Sequence, residues 1–155
     1  MLRLPGAWTR SLCSLWRCDR LRSRSIRGQR GRGFSVTCAT MPLIRIVTSA
    51  EVTANAEGLL SELSAMLARE IGKPEAYVMT CLEPRAAMTF GGTTESACYV
   101  EVKNVGALGP ELTKRLSAAI TERVARAFGV KGARLYIEFS ESKGHHWGFD
   151  GDTFG

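Results

Sequence analysis

Pro42-Leu-Ile-Arg-Ile-Val-Thr48, directly after Met41, is the first strand-like segment of this chain. Its residues are mostly apolar and several are β-branched, a composition typical of a β-strand. A proline is tolerated at the first position of a strand, although its nitrogen has no hydrogen to donate to the ladder. The regular hydrophobic patterns that can build a fold lie after this point, so we predict a folded domain over residues 41–155.

A helix is predicted after this strand. Apolar residues recur at helical spacing over residues 59–71, and Gly72 followed by Pro74 is a typical helix end. Thr53 or Asn55 is the expected cap at the beginning of the helix, since both side chains can accept from its free backbone N–H groups.

The same alternation of strand and helix continues along the chain. The remaining pattern predicts a strand over 77–82, a loop over 84–96, a strand over 97–102, a helix over 112–128 that Gly129 ends, and a strand over 134–139. Residues 147–154 form an aromatic, turn-rich tail.

The element order β-α-β, loop, β-α-β indicates an internal duplication. Helix-ending glycines stand at matching places in two halves of similar length. Right-handed crossovers would place both helices over one face of a shared four-stranded sheet, which is an α+β fold. The other face would be uncovered and would need a partner, so we expect a closed symmetric oligomer.

Residues 1–40 differ in composition from the predicted domain. They carry nine arginines and one aspartate, whereas residues 41–155 carry 12 basic and 14 acidic side chains. An Arg- and Ser-rich, acid-poor segment with arginines on one helical face is typical of an organelle transit peptide. The alternative is an upstream stretch translated in front of a true start at Met41. In both cases we predict a disordered leader outside the domain.

The charge distribution and the cysteines argue against several classes of function. The domain has a slight excess of acidic groups, which gives no support to nucleic-acid binding, and the apolar stretches are too short for a membrane span. The five cysteines form no disulfide framework, so we expect reduced thiols, including Cys81 and Cys98 in the domain. His145-His146 alone does not make a zinc site.

Six short motifs stand in the order found in the macrophage migration inhibitory factor family, which includes the D-dopachrome tautomerases. They are Pro42 after Met41, Gly72-Lys73-Pro74, Met88-Thr-Phe-Gly-Gly92 followed by Thr93-Thr-Glu95, Val105-Gly106, Leu135-Tyr136-Ile137 and Thr153-Phe154. The chain resembles that family over all of residues 41–155. The resemblance implies a homotrimer with the tautomerase fold and keto–enol tautomerisation of phenylpyruvate-like or dopachrome-like compounds without a cofactor. Some members act as leaderless secreted cytokines, which implies a cell-surface receptor as a further partner.

The resemblance implies that Pro42 is the general base. It would take a proton from the carbon next to the substrate carbonyl and return it at the other position of the enol. An ordinary α-amino group has a pKa of about 8, and burial among apolar side chains lowers that pKa by disfavouring the cation. The amine would then be neutral at physiological pH and suited to proton transfer. The alternative is that Pro42 merely begins an edge strand.

The resemblance also implies a substrate-binding set from several parts of the chain: Lys73, Asn104, Val105, Tyr136, Glu138, Trp147, Phe149 and Phe154. Lys73 would anchor the carboxylate of a keto acid. The backbone N–H of Val105, beside Asn104 at a strand end, would donate to the substrate. Tyr136 would arrive from the neighbouring subunit, and the aromatic tail would form the apolar wall that desolvates Pro42.

These residues also have ordinary structural interpretations. A lysine at the end of a helix commonly complements the helix dipole, and Lys73 can do this as well as bind a carboxylate. Tyr136 is equally expected as an aromatic residue of a half-buried strand. The aromatic residues of the tail would pack on the sheet in either case.

Three departures from the mammalian members limit what the resemblance implies. Glu138 stands where the mammalian cytokine has an asparagine, and a carboxylate there would repel an acidic substrate. Ala97-Cys-Tyr-Val100 replaces the mammalian CxxC, so we expect no thiol-oxidoreductase activity of that kind. The order Trp147-Gly-Phe149 also differs, so the substrate preference is not carried over.

The leader conflicts with catalysis by Pro42. Arg32-Gly-Phe-Ser35 resembles a processing signature, and cleavage after Phe34 would leave Pro42 inside the chain, where an amide nitrogen has no basic lone pair. Initiation at Met41 and removal of the methionine would free it, and we favour this start for the active form. The protein would then be cytoplasmic, with leaderless secretion. A genuine leader would imply a mitochondrion or plastid, and a blocked proline would imply a signalling or binding protein.

Overall fold

The strand that begins at Pro42 is an inner strand of a four-stranded sheet. The computed structural model describes residues 41–52 and 55–154, so the predicted leader over 1–40 and the predicted cap at Thr53 lie outside the described residues. The elements are β1 (Pro42–Thr48), α1 (Ala56–Ile71), β2 (Met79–Glu83), β3 (Cys98–Val105), α2 (Pro110–Phe128), β4 (Leu135–Ser142), β5 (Gly148–Phe149) and β6 (Asp152–Thr153). Short 3₁₀ turns lie at Glu75–Tyr77, Gly132–Arg134 and Gly144–His146.

Two β-α-β units meet in the middle of the sheet, whose strand order is β2-β1-β3-β4. The pairs β1–β2 and β3–β4 are parallel, whereas β1 and β3 are antiparallel. The predicted duplicated α+β fold is therefore confirmed. The interpretation of Pro42 as the start of an edge strand is wrong, because β1 lies between two strands. The proline is tolerated there because it is the first residue of its strand.

The strand boundaries differ from the predicted ones for identifiable reasons. β2 begins at Met79, two residues later than predicted, because Glu75–Tyr77 forms a 3₁₀ turn. β3 and β4 extend three residues further than predicted, to Val105 and Ser142. The β3–β4 ladder continues through polar residues there, and a hydrophobic pattern does not detect such pairing.

The helix ends form as predicted. The side chain of Asn55 accepts from Gly58 N–H at 3.1 Å, which caps α1. Gly72 and Gly129 end the two helices with φ angles of 73° and 66°. These are left-handed conformations that glycine adopts without the steric cost of a Cβ atom.

Both helices cover the same face of the sheet. Residues along β1 and β3 alternate between buried and half-buried positions. The buried positions pack with one side of each helix in a single core, whose fully buried members include Ile44, Ile46, Leu63, Leu67, Val100, Val102, Leu116, Ile120 and Val124. Burial of this apolar surface is the main force that stabilises the domain.

The opposite, open face of the sheet carries ion pairs. Arg45 donates to the Glu83 carboxylate from Nε at 2.7 Å and from Nη2 at 2.9 Å, and its Nη1 lies 3.4 Å from Glu101. The Lys103 ammonium lies 3.6 Å from the same Glu101 carboxylate. Opposite charges on neighbouring strands thus satisfy one another. Apolar side chains such as Leu43 share this face, so it is mixed in character.

Candidate functional site

The register of the two central strands brings three predicted site residues together. Pro42 pairs directly with Asn104, and Val105 is the last residue of β3. All three residues are buried. Gly106 follows with a φ of 101°, so the chain turns immediately after Val105. We call this region the Pro42 end of the sheet.

Lys73 lies at the Pro42 end because of the β-α-β topology. α1 returns the chain to the start of β2, whose first residue, Met79, pairs with Leu43. The backbone N–H groups of Gly72 and Lys73 both donate to Ala68 O, at 3.0 and 2.9 Å, and this fixes the turn. The half-buried side chain of Lys73 forms no ion pair with any residue that the structure describes. Its ammonium is therefore not engaged by a carboxylate of the described chain.

Three aromatic rings form a cluster beside this end: Tyr77, Phe149 and Phe154. The rings of Phe149 and Phe154 stack with their centroids 5.7 Å apart, and Tyr77 meets Phe149 edge-on at 6.1 Å. The short β5–β6 hairpin orders the tail, and Phe154 N–H donates to Trp147 O at 3.2 Å. Because Tyr77 lies two residues before β2, it ties the aromatic tail to the Pro42 end.

Tyr136 lies away from the Pro42 end within one subunit. It pairs with Tyr99, five residues before Asn104 on β3, so the separation is roughly 17 Å at about 3.3 Å per residue. The Tyr136 side chain is 66% exposed. One copy of the chain therefore holds two separate parts of the predicted site, and the arrival of Tyr136 from a neighbouring subunit stays a prediction.

Glu138 is a carboxylate on the open face of the sheet. The hydroxyl groups of Tyr99 and Ser140 both donate to it, the latter at 3.1 Å. These hydrogen bonds, with that from Tyr99 the stronger cause, lower the pKa of Glu138. The same contact raises the pKa of Tyr99 to about 12. Glu138 is thus negatively charged near neutral pH, as its predicted repulsion of acidic substrates requires.

Tyr136 borders a cavity of about 300 Å³, whose lining also includes Met88, Phe90 and Cys98. The rings of Phe90 and Tyr136 lie 4.8 Å apart between centroids. Burial raises the pKa of the Cys98 thiol to about 12, so this thiol is protonated and a poor nucleophile at neutral pH. The cavity therefore presents an aromatic surface beside Tyr136 and not a reactive cysteine.

Arg134 supports the loop that carries Phe90. Its guanidinium donates to the carbonyl oxygens of Glu95 at 2.8 Å, Ser96 at 3.1 Å and Phe90 at 3.2 Å. The same group lies 5.3 Å from the centroid of the Phe90 ring, over its face. Arg134 thus ties two separate points of the loop to the start of β4 and holds Phe90 against Tyr136.

Sequence reasoning missed Tyr77 and Arg134. Tyr77 carried a usable signal, since it is an aromatic residue four positions after Lys73 in a turn that positions the predicted anchor. Nothing in the sequence marked Arg134, because its carbonyl partners are distant in sequence and an arginine at the start of a strand is common.

Residues 41–52 and 55–154 contain neither a membrane-spanning helix nor a cluster of metal ligands. No helix in these ranges is long and apolar enough to cross a lipid bilayer. No group of three or more His, Cys, Asp or Glu side chains among these residues could hold a metal ion. His145 and His146 instead pack edge-on, with ring centroids 4.1 Å apart.

Comparison with known proteins connects this geometry to one family. A family model described as macrophage migration inhibitory factor (MIF) matches residues 41–155. A macrophage migration inhibitory factor homolog from Trichuris trichiura is 30% identical over 114 residues, which are 74% of this chain and 100% of that protein. A crystal structure of a homologue from Prochlorococcus marinus superposes with a TM-score of 0.71 at 44% identity, over 73% of this chain and 99% of that one. A MIF-like protein from Entamoeba histolytica gives a TM-score of 0.69 at 28% identity, over 74% and 99%.

We expect Arg134→Met to lower the free energy of unfolding by about 1–3 kcal/mol, because it leaves three carbonyl groups without their charged donor. Chemical denaturation measures this change, and limited proteolysis should show faster cleavage of the loop that carries Phe90. The matched control is Arg126→Met, since the side chain of Arg126 is 61% exposed and its ion pairs lie at the surface. Equal effects of the two substitutions would contradict the role assigned to Arg134.

Proposed function

The chain belongs to the macrophage migration inhibitory factor family, and from this premise we propose that it is a cofactor-independent keto–enol tautomerase. The proposed general base is Pro42 as a free amino terminus, and the proposed substrates are phenylpyruvate-like or dopachrome-like compounds. The observation that carries the proposal is the position of Pro42, buried at the start of an inner strand and directly opposite Asn104.

The chemistry needs a neutral amine in an apolar place. A free α-amino group has a pKa of about 8 in water, and burial lowers it, so the uncharged amine dominates near neutral pH. The Pro42 nitrogen then takes a proton from the carbon next to the carbonyl. The electron pair of that C–H bond forms the C=C bond of the enol, and the π electrons of the C=O bond move to the oxygen. The proton held by Pro42 is then returned to this oxygen, which leaves the amine neutral again. The backbone N–H of Val105 is the proposed donor to the substrate.

Lys73 is the proposed anchor for the carboxylate of a keto acid. The absence of an ion-pair partner among the described residues supports this role, and so does its place at the Pro42 end. Phe149 and Phe154, with Trp147 beside them, are the proposed apolar wall, and we add Tyr77 because its ring contacts Phe149. This wall would exclude water from the amine and so lower its pKa.

We propose a homotrimer in which Tyr136 and Glu138 of one subunit complete the site of the next. The distance between Tyr136 and the Pro42 end supports a shared site, since one subunit does not bring these groups together. Residues 41–155 are the proposed domain. A cytoplasmic location with leaderless secretion is proposed for a chain that starts at Met41, and an organelle for a chain with a genuine leader.

The alternative function is cytokine-like signalling or binding, with a cell-surface receptor as partner. Its support is that Pro42 follows Met41 in the chain and is an amide in that form. The intact mass and amino-terminal sequence of the native protein separate the two functions. A terminus at Pro42 favours catalysis, whereas any residue retained ahead of it favours binding.

Catalysis should require Pro42 to be the free amino terminus. We expect the form that begins at Pro42 to tautomerise phenylpyruvate, and Pro42→Gly to lose about 10²–10⁴-fold in kcat/KM, the usual contribution of a general base. The full chain and a form that retains Met41 should be inactive, because an amide nitrogen cannot take the proton. Full activity of either blocked form, or of Pro42→Gly, would refute the proposed mechanism.

A shared site can be tested by mixing inactive subunits. We expect trimers refolded from equal amounts of Pro42→Gly and Tyr136→Ala subunits to regain activity, because about a quarter of sites then combine two intact residues by random assortment. The matched control mixes Pro42→Gly with Lys73→Met, two residues of the same subunit, and its activity should not exceed the mean of the two parent trimers, because no site then combines both intact residues. Recovery in both mixtures, or in neither, would contradict a site built from two subunits.

The charges of Lys73 and Glu138 should act in opposite directions on an acidic substrate. We expect Lys73→Met to raise the KM for phenylpyruvate about tenfold, the equivalent of about 1.4 kcal/mol. Glu138→Gln should lower that KM a few-fold, because it removes a negative charge from the proposed site. A methyl ester substrate is the control, since it carries no carboxylate, and steady-state kinetics on both substrates measure the effects. An equal response of acid and ester would exclude a charge effect.

A further inference from the structure

Asn104 has a buried side-chain amide, and only one of its two polar atoms has a hydrogen-bond partner among the described residues. Its side chain is 2% exposed. Nδ2 donates to Gly106 O at 3.1 Å, whereas Oδ1 is buried and receives no hydrogen bond from any residue that the structure describes. Buried polar atoms nearly always have a partner, because leaving one unpaired is destabilising.

The orientation of this amide follows from its surroundings. If the amide were turned over, Oδ1 would face Gly106 O, and two acceptors would meet. The contact with Gly106 therefore fixes Nδ2 on the carbonyl side and leaves Oδ1 on the other side.

The residue directly opposite Asn104 is Pro42. Side chains of directly opposed residues in an antiparallel pair lie on the same face, with Cβ atoms about 4.5–5.5 Å apart. Joined to Met41, the nitrogen of Pro42 carries no hydrogen. As a free terminus it carries one hydrogen when neutral and two when protonated. Removal of Met41 therefore creates a donor on the residue paired with Asn104, whose Oδ1 has no donor among the described residues.

We propose that Oδ1 of Asn104 accepts a hydrogen bond from the amine of Pro42 and thereby positions this base. The inference rests on the proposed function in one respect, namely that Pro42 becomes a free terminus. In the neutral amine the single N–H points to Asn104, so the lone pair is turned away from it and remains available for the proton of the substrate. This hydrogen bond is stronger when the Pro42 amine is protonated, so it raises the pKa of Pro42. Burial lowers the same pKa, and the two effects therefore oppose each other.

Other charged groups near this end of the sheet also influence the amine. They come from the end of α1 and the following turn, from the start of α2, and from β3 and β4: Arg69, Glu70, Lys73, Arg115, Lys103 and Glu141. The tail adds His145 and His146. None of these groups changes when Asn104 alone is substituted, so a comparison of variants isolates its effect.

The first test measures thermal stability and needs no activity. Asn104→Leu, which has nearly the same shape without the acceptor, is compared in the full chain, in a form that retains Met41 and in a form that begins at Pro42. Curated relatives with the length of this domain indicate that the shorter forms fold, and circular dichroism verifies this. We expect Asn104→Leu to raise Tm in both blocked forms and to lower it in the Pro42 form.

The matched control for this test is Thr48→Val, at the other end of β1. Thr48 is also fully buried, but its hydroxyl donates to Ala97 O at 3.0 Å and accepts from Ala50 N–H at 3.1 Å, whatever the state of the terminus. Thr48→Val should therefore lower Tm equally in all three forms. A change of the same sign and size for Asn104→Leu in every form would overturn the inference, because the acceptor would then be independent of the terminus.

The second test measures the pKa of Pro42 by NMR titration of ¹⁵N-proline in the Pro42 form. We expect Asn104→Leu to lower this pKa by roughly one unit, the equivalent of one hydrogen bond to a charged group, and Asn104→Asp to raise it. The acidic limb of kcat/KM should move by the same amount, and replacing both tail histidines with asparagine should leave that shift unchanged. An unchanged pKa in both Asn104 variants would overturn the inference.

The outcomes separate this inference from the proposed function. If the Tm and pKa effects are seen without tautomerase activity, the hydrogen bond is established and the proposed reaction fails. If activity is present without these effects, the reaction stands and the role of Asn104 is refuted.

Discussion

The antiparallel pairing of β1 with β3 is the contact on which the rest of this structure depends. It joins two β-α-β units that would otherwise each have a two-stranded parallel sheet, and it continues the core across both. The register of the same pairing sets Pro42 opposite Asn104. One set of backbone hydrogen bonds therefore builds the sheet and defines the candidate site, and a shift by one residue would turn every side chain of β1 to the other face.

The two faces of the sheet have different physical roles. The face under the helices is apolar and supplies the stability that a domain of this size can obtain from burial. The open face holds Arg45, Lys103 and their carboxylate partners, together with Glu138. Charged pairs at a surface stabilise weakly, so these pairs contribute local charge more than stability.

Much of the fold and part of the site could be predicted from residue patterns. Both helix ends, the element order and the duplication depend on local signals such as Gly72 and Gly129, whose positive φ angles the pattern anticipates. The order of the strands in space could not be predicted from strand composition, and the alternative to a catalytic Pro42, that it merely begins an edge strand, is wrong about the edge position. The support of Phe90 by Arg134 could not be predicted. Its hydrogen bonds go to backbone carbonyl groups, and because every residue has one, no residue type marks the partners in the sequence.

The sequence by itself determined the elements, the charge difference between the leader and the domain, and the presence of Pro42 at the start of a strand, because these depend on neighbours along the chain. The tertiary structure alone decided which residues meet. Asn104 lies 62 positions after Pro42 in the chain and yet faces it directly. That its side-chain Oδ1 has no partner among the described residues is a property of packing, since hydrogen-bond satisfaction depends on every group around an atom and not on its own residue type.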